Sequence, residues 1–495
     1  MSELTTLSIE AAAAGLRAGE FTAAELTEAV LARSAAVEPT IGSYLLETPE
    51  QARAMAAAAD ARLRAEGDAA PLLCGIPGAL KDLICTAGVR TTAASRMLET
   101  YVPFYDAHVA QRLKDAGFVL TGKANLDEFA MGSSTETSAY HTTRNPFCPD
   151  CVPGGSSGGS ASSVAADQAF FSLGTDTGGS IRQPASMCGV VGLKPTYGRV
   201  SRRGVMAMAS SLDQVGPFAR SVRDTAAVLE AIAGRDELDA TSSARPVPAY
   251  REACGRDVRG LKIGVPREYF AEGVEPAVAA AVRAAVEQLV SLGAEAVEIS
   301  LPHTEYGMST FYVLMSSEVS ANLARFDGIR YGVPREGGTM WEAYSNTRGQ
   351  GFGPEVQRRI MLGTYVLSAG YAEAYYVRAQ KVRTLIRDDF ATALAEVDAI
   401  AAPVSPTTAF RLGERTDDPV VMYLSDVLTL PCSLAGLPGL SVPCGFDGEG
   451  KPIGLQLMGA HWAEETLFSL AYALEQSTDW SLAANRNRIR VGDAQ

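Results

Sequence analysis

The stretch Pro153-Gly154-Gly155-Ser156-Ser157-Gly158-Gly159-Ser160, with Ala169-Phe170-Phe171-Ser172-Leu173-Gly174-Thr175-Asp176-Thr177-Gly178-Gly179-Ser180 close behind it, decides the fold of this chain. The first part is a glycine-serine loop, and Ala161 to Ala166 after it reads as a helix start. The apolar run from Ala169 to Gly174 reads as a strand delivering a second glycine loop, whose Ser180 comes 24 residues after Ser156. Strand, loop and helix in alternation predict an α/β core. Glycine lets backbone N–H groups crowd around a ligand without side chains in the way. A serine in such a loop sits beside those donors, as acyl transfer requires of a nucleophile and its oxyanion hole.

Working outward, Ala116 to Lys123, Leu261 to Val265, Ala294 to Leu301, Ala399 to Ala402, Gly439 to Val442 and Pro452 to Met458 read as further strands. A helix separates the second and third of these, over about 275–292. Asp447-Gly448-Glu449-Gly450 is a turn signal between the last two. The first 65 residues read as helices. Thr22-Ala23-Ala24-Glu25 is a capping-box pattern, Leu26, Val30 and Leu31 recur at helical spacing, and Gln51 to Glu66 is alanine-rich. The two helices are expected to pack as a hairpin. Val313 to Glu396 is mostly helical, with a polar break around 332–353. One domain over 1–495 fits this texture, with a helical N-terminal region over 1–65 and a helical insertion over about 305–396.

The formal net charge of −14 and the absence of any Lys/Arg-rich run argue against a broad nucleic-acid-binding face on this chain. Met1 to Glu20 lacks the charged-then-apolar order of a signal peptide, and the apolar runs are too short and broken for a membrane span. The eight cysteines are dispersed, which predicts reduced thiols and a cytoplasmic location. Cys148-Pro149-Asp150-Cys151, with His141 nearby, is half a zinc site without a second pair, so no metal site is expected and these two are expected to be incidental thiols.

Histidine is scarce, with only His108, His141, His303 and His461, and none lies in the glycine loops. Gly154-x-Ser156-x-Gly158 matches a nucleophile elbow, but three prolines in the nine preceding residues disfavour the strand an elbow needs. The loop also lacks the Gly-Lys-Ser/Thr ending of a phosphate loop. Lys81 stands 75 residues before Ser156, at the end of the uncharged run Leu73 to Leu80. Burial lowers an ammonium pKa, and a neutral lysine amine is a general base that needs no histidine. A Ser-Ser-Lys site follows as the candidate.

Lys81, the Gly154 to Ser160 loop, Asp176 to Ala185 and Gly189 to Gly198 together resemble the amidase signature family. The resemblance implies a large central mixed β-sheet covered by helices on both faces. Asn125 to Glu136, Tyr197 to Arg202, Asn322 to Gly328 and Arg358 to Gly363 are similar to the A subunits of the glutamyl-tRNA(Gln)/aspartyl-tRNA(Asn) amidotransferases. On that resemblance, Ser180 is the nucleophile, Ser156 relays its proton and Lys81 is the terminal base. The backbone amides of Thr177, Gly178, Gly179 and Ser180 form the oxyanion hole. Arg359 takes the α-carboxylate of glutamine and Asp426 its α-ammonium. The choice of Arg359 over Arg358 rests on alignment alone, and a helix cap is the competing reading of Asp426. Tyr312 and the backbone near Met131 and Gly132 are further binding candidates, and the insertion lies near this substrate site. Asp176 and Arg182 are read as an ion pair shaping the loop.

The implied reaction is glutamine hydrolysis that supplies ammonia for converting Glu-tRNA(Gln) or Asp-tRNA(Asn) to its amide. The implied partners are a B subunit, which holds the mischarged tRNA and uses ATP and Mg²⁺, and a small C subunit. This chain itself needs no cofactor. The alternative is a free-standing amidase of the same fold acting on another small amide.

Overall fold

The computed structural model describes residues 2–271 and 273–491. Among them eleven strands form one sheet. In chain order the first six are β1 (Tyr44–Glu47), β2 (Pro77–Lys81), β3 (Val119–Ala124), β4 (Phe171–Asp176), β5 (Val191–Lys194) and β6 (Gln214–Ala219). The other five are β7 (Lys262–Pro266), β8 (Glu295–Ile299), β9 (Ala399–Pro403), β10 (Gly439–Phe446) and β11 (Pro452–Met458). Their spatial order is β1-β3-β2-β4-β6-β5-β10-β11-β9-β7-β8. The sheet is mixed. β2 runs parallel to both β3 and β4, and β7 to both β8 and β9, while the remaining neighbours are antiparallel.

Every residue of β2, β3, β4, β5, β6, β9 and β11 is buried. Successive side chains of a strand point to opposite faces, so both faces of the sheet are covered. The covering helices include Gly158–Ala165 against β4 and β2, Arg182–Met187 against β10 and β11, and Glu464–Gln476 against β10.

The N-terminal region carries the expected capping box: Thr22 accepts from the Glu25 amide at 3.1 Å, and Glu25 accepts from the Thr22 amide at 2.8 Å. The helices Ala23–Ile41 and Pro49–Glu66 pack together, with Asp60 accepting from the Ala23 amide at 2.7 Å and Arg53 paired to Glu28. The region is not wholly helical, because β1 forms the sheet edge on β3. Its four residues are too short a run to stand out beside two alanine-rich helices. The polar break in the insertion is narrower than its composition suggests. A second capping box, Thr339 with Glu342, starts a helix over Met340–Gly351, and Pro354–Leu367 follows as another.

Two residues depart from the expectation of free thiols: Cys148 and Cys151 are joined in a disulfide. The backbone makes this possible, since amide-to-carbonyl bonds from Cys148 to Asn145 and from Cys151 to Cys148 fold the segment into consecutive turns with the two Cα atoms 5.2 Å apart. Among the described residues no group of three or more His, Cys, Asp or Glu is placed to hold a metal ion, and no helix is long and apolar enough to cross a membrane.

Candidate active site

Lys81 is the last residue of β2, and β2 lies parallel to β4, whose end opens into Thr177-Gly178-Gly179-Ser180. Both strands therefore discharge at the same rim of the sheet, where open α/β sheets place their ligands. The loop 153–157 crosses the same rim before the helix Gly158–Ala165, and the Gly155–Ser156 peptide within it is cis.

Lys81 is fully buried, and its Nζ lies 2.7 Å from Ser156 Oγ, 2.8 Å from Ser157 Oγ and 2.9 Å from Thr175 Oγ1. Three hydroxyls solvate it, and no carboxylate among the described residues is in direct contact. Burial lowers its pKa to about 7, against the pull of the carboxylates of Asp127, Asp176 and Asp213. The amine is thus available unprotonated near neutral pH. Ser157 and Thr175 are partners that the sequence did not single out. Ser157 is adjacent to a chosen residue, but nothing marks a strand threonine as a lysine ligand.

The Ser180 hydroxyl makes no hydrogen bond among the described residues, and the residue is 6% exposed. The N–H groups of Gly178, Gly179 and Ser180 likewise find no acceptor among the described residues. Thr177 is anchored through its hydroxyl, which donates to Asp213 Oδ1 at 2.7 Å. Gly179 has to be glycine, since a Cβ there would collide with Thr429 Oγ1 and stand 3.2 Å from Asp426 Oδ1. That close approach sets Asp426 directly against the Ser180 loop.

Asp426 is buried, and burial raises its pKa to about 7 although the Ser133 hydroxyl, bonded to its Oδ2, works the other way. Its Oδ1 is buried with no hydrogen-bond partner among the described residues. The side chain caps no helix, because Thr429 bonds to the Asp426 carbonyl instead. An orphaned carboxylate oxygen in a buried position is a receptor for a cationic donor.

Arg359 and Arg358 lie on the helix Pro354–Leu367 and differ sharply. Arg359 is 3% exposed, with Nε 2.8 Å from Glu355 Oε1, and its guanidinium lies 5.3 Å from the ring centroids of both Tyr312 and Tyr423. Those two rings stack at 4.0 Å, and Tyr423 donates to Glu355 Oε1 at 2.6 Å. Arg358 pairs with Glu355 from a side chain 42% exposed. Of the two, Arg359 is the oriented cation.

A cavity of about 390 Å³ opens between Arg359, Tyr423, Ser133 and Gly132, and Ser133 joins it to Asp426. Met131 sits behind Gly132 with its side chain in the core. A larger cavity of about 690 Å³, between Cys85, Tyr101 and Tyr331, contains none of these groups. Ser133, Glu355 and Tyr423 are members of the site that sequence reasoning missed. Ser133 meets Asp426 from 293 residues away and Tyr423 meets Glu355 from 68, relations that no local pattern encodes, whereas Glu355 stands one helical turn before Arg359, a spacing that could have marked it.

An arrangement of free hydroxyl, unengaged amides and neutral amine can carry out amide cleavage by a covalent ester. The comparisons agree with this chemistry. Residues 25–468 match the Amidase family model. A glutamyl-tRNA(Gln) amidotransferase A subunit from Roseiflexus sp. (strain RS-1) is 60% identical over 97% of this chain and 98% of its own length. The crystal structure of the glutamyl-tRNA(Gln) amidotransferase A subunit from Thermotoga maritima has a TM-score of 0.78 at 43% identity, covering 96% of this chain and 95% of that one. The native peptide amidase from Stenotrophomonas maltophilia has a TM-score of 0.81 at 35% identity, covering 96% and 97%. The backbone is thus shared across different amide substrates, whereas the sequence lies nearer the amidotransferase subunits. The chain belongs to the amidase family.

Proposed function

We infer that this chain is the glutamine-hydrolysing subunit of a tRNA-dependent amidotransferase. The observation that carries the reading is a buried carboxylate oxygen without a partner among the described residues, Asp426 Oδ1, set against the Ser180 loop, together with a buried and oriented cation, Arg359, on the cavity that Ser133 joins to Asp426. A free amino acid presents an α-ammonium and an α-carboxylate, and these two groups are complementary to it. The extent of identity to the Roseiflexus protein supports the same substrate.

In the proposed mechanism Ser180 Oγ attacks the side-chain amide carbon of glutamine. Its proton passes to Ser156, whose own proton is taken by the neutral Lys81 amine. The amides of Thr177, Gly178, Gly179 and Ser180 receive the oxyanion. The relay runs backwards to protonate the leaving nitrogen, ammonia departs, and a glutamyl ester of Ser180 remains. Water, deprotonated through the same relay, releases glutamate. Ammonia goes to a partner subunit that binds the mischarged tRNA and supplies ATP and Mg²⁺ chemistry, with a small third subunit completing the assembly. A free-standing amidase would share the Ser-Ser-Lys arrangement but would have no use for both α-group receptors.

The test is Ser180→Ala in the assembled complex. Ammonia release from glutamine is expected to disappear while tRNA amidation with added ammonia continues. Loss of both activities would refute a purely hydrolytic role.

A further inference from the structure

Glu128 is nearly fully buried and faces the same cavity, yet it takes no part in the proton relay or in either α-group receptor. Its Oε2 accepts from the Gly353 amide at 2.8 Å, and its Oε1 accepts from the Ser95 hydroxyl. Ser95 Oγ also lies 3.2 Å from the Gly351 carbonyl. One carboxylate thus fastens three segments: the loop at Ser95, the loop that begins at Asp127, and the junction between the helices Met340–Gly351 and Pro354–Leu367.

Gly353 is the residue from which the Arg359 helix starts, and it offers no side chain of its own as a cap. Glu128 fills that role from 225 residues away, satisfying an amide at a helix N-terminus with a carboxylate where the helix dipole favours negative charge. The approach is close enough that a Cβ on Gly353 would collide with Glu128 Oε2. The neighbouring Phe129 adds an apolar clasp, its ring 5.0 Å from Phe326 and 5.7 Å from Phe352. On its other side Glu128 follows Asp127, whose carboxylate gathers the amides of Ser134, Thr135 and Thr137 and so shapes the loop bearing Ser133 and, through it, Asp426.

We propose that Glu128 is a positioning residue for substrate selection, holding the Arg359 helix in register with the Ser133–Asp426 wall so that the two α-group receptors keep their spacing. Its two carboxylate oxygens are engaged by Ser95 and Gly353, and it acts through Gly353. Glutamine recognition depends on that spacing. Cleavage of a primary amide without α-groups does not.

The proposal rests on the glutaminase reading, and the experiment separates the two. Complexes carrying Glu128→Ala, Gly353→Ala or Glu128→Gln are assayed on glutamine and on butyramide, which has the amide but no α-carboxylate or α-ammonium. Glu128→Ala and Gly353→Ala are expected to raise KM for glutamine on the order of 10- to 100-fold, the range a misplaced positioning group costs. Their kcat for glutamine and their kcat/KM for butyramide should stay within about threefold of the parent, a split that a general loss of structure would not produce. Glu128→Gln, whose amide oxygen still accepts from Gly353, should recover part of the loss. If Glu128→Ala does not fold, Gly353→Ala carries the test alone. Unchanged KM for glutamine, or equal losses on both amides, overturns the inference. A parent complex that cleaves butyramide but not glutamine overturns the glutaminase reading, and this inference with it.

Discussion

Arg182 and Asp176 form an ion pair with no exposure to solvent, Nη2 lying 2.9 Å from Oδ1 and Nε 2.9 Å from Oδ2. The other guanidinium bonds reach the Thr429 carbonyl at 3.0 Å, Gln456 Oε1 at 2.6 Å and Ser433 Oγ at 2.8 Å. Burial alone would push the Asp176 carboxyl up, but the Arg182 guanidinium overrides it and holds the group below the usual carboxylate range. The pair closes the turn that carries Ser180 and ties it to the segment after Asp426. Arg182→Met would leave a buried carboxylate without its partner, at a cost of about 3–5 kcal/mol. The check is a chemical-denaturation curve, and a shift under about 1 kcal/mol would contradict this account of the loop.

The Lys81 amine sets a pH dependence. With its pKa lowered to about 7, the neutral form grows as pH rises through that value, and kcat for amide hydrolysis should rise with it. Stability should follow the same direction. Between about pH 7 and the ordinary lysine value of 10.5 the unfolded chain holds a proton that the folded chain has released, so folding is favoured increasingly with pH across that window. Lys81→Met should abolish the kcat dependence along with hydrolysis. A pH–rate profile of the parent that is flat from about pH 6 to about pH 8 would remove Lys81 as the base.

Asp426 adds an ionisation of its own. Its carboxyl, raised to about 7 by burial, must be deprotonated to meet an α-ammonium, so KM for glutamine should fall as pH rises through that value. Folded Asp426 keeps a proton that the unfolded chain has lost between about pH 4 and 7, so this group alone makes stability fall with pH there. Asp426→Asn should weaken glutamine binding by about 2–5 kcal/mol, as loss of one member of a buried charge pair does, and leave butyramide hydrolysis unaltered. Equal effects on both amides would make Asp426 a structural residue.

The Cys148–Cys151 disulfide closes only a three-residue separation, so the chain-entropy model assigns it about 2 kcal/mol of stability. Cys148→Ser should cost no more than that and should leave kcat and KM for glutamine intact. A roughly tenfold fall in kcat would show instead that this turn governs the Ser156 loop.

The α/β core and its strand-delivered loops were legible because apolar runs and glycine turns alternate so regularly between Leu73 and Arg223. Phe171–Asp176 and Gly158–Ala165 fall within a few residues of their expected places. Lys81 was legible for a physical reason, an uncharged run before it that signals burial. The edge strand β1 was not, because an edge strand of four residues draws its definition from pairing with β3 rather than from its own pattern. The disulfide was misjudged because spacing does not reveal how a turn aims two side chains.

At the site, the residues carried by glycine loops came from local patterning, whereas the proposed α-group receptors came only from family resemblance. The structure explains the difference. Arg359 is set by Glu355 one turn away on its own helix and by the distant rings of Tyr312 and Tyr423, and Asp426 by Ser133, so most of their geometry is a product of long-range packing. The Glu355–Arg359 spacing is a local ion-pair signal, but nothing in it marks a substrate-binding role.

The strand order joins β1–β6 to β7–β11 at one seam, where β5 meets β10. Lys81, Ser156 and Ser180 all belong to the first block, and Tyr312, Arg359 and Asp426 to the second. In the proposed assignment the proton relay is thus written in one stretch of the gene and the two α-group receptors in another, while Glu128, Gly132 and Ser133 of the first stretch share in walling the cavity. Changes in the second stretch can alter which amide is taken while the proton relay is inherited intact, and the shared backbone of a peptide amidase is what such a history would leave behind.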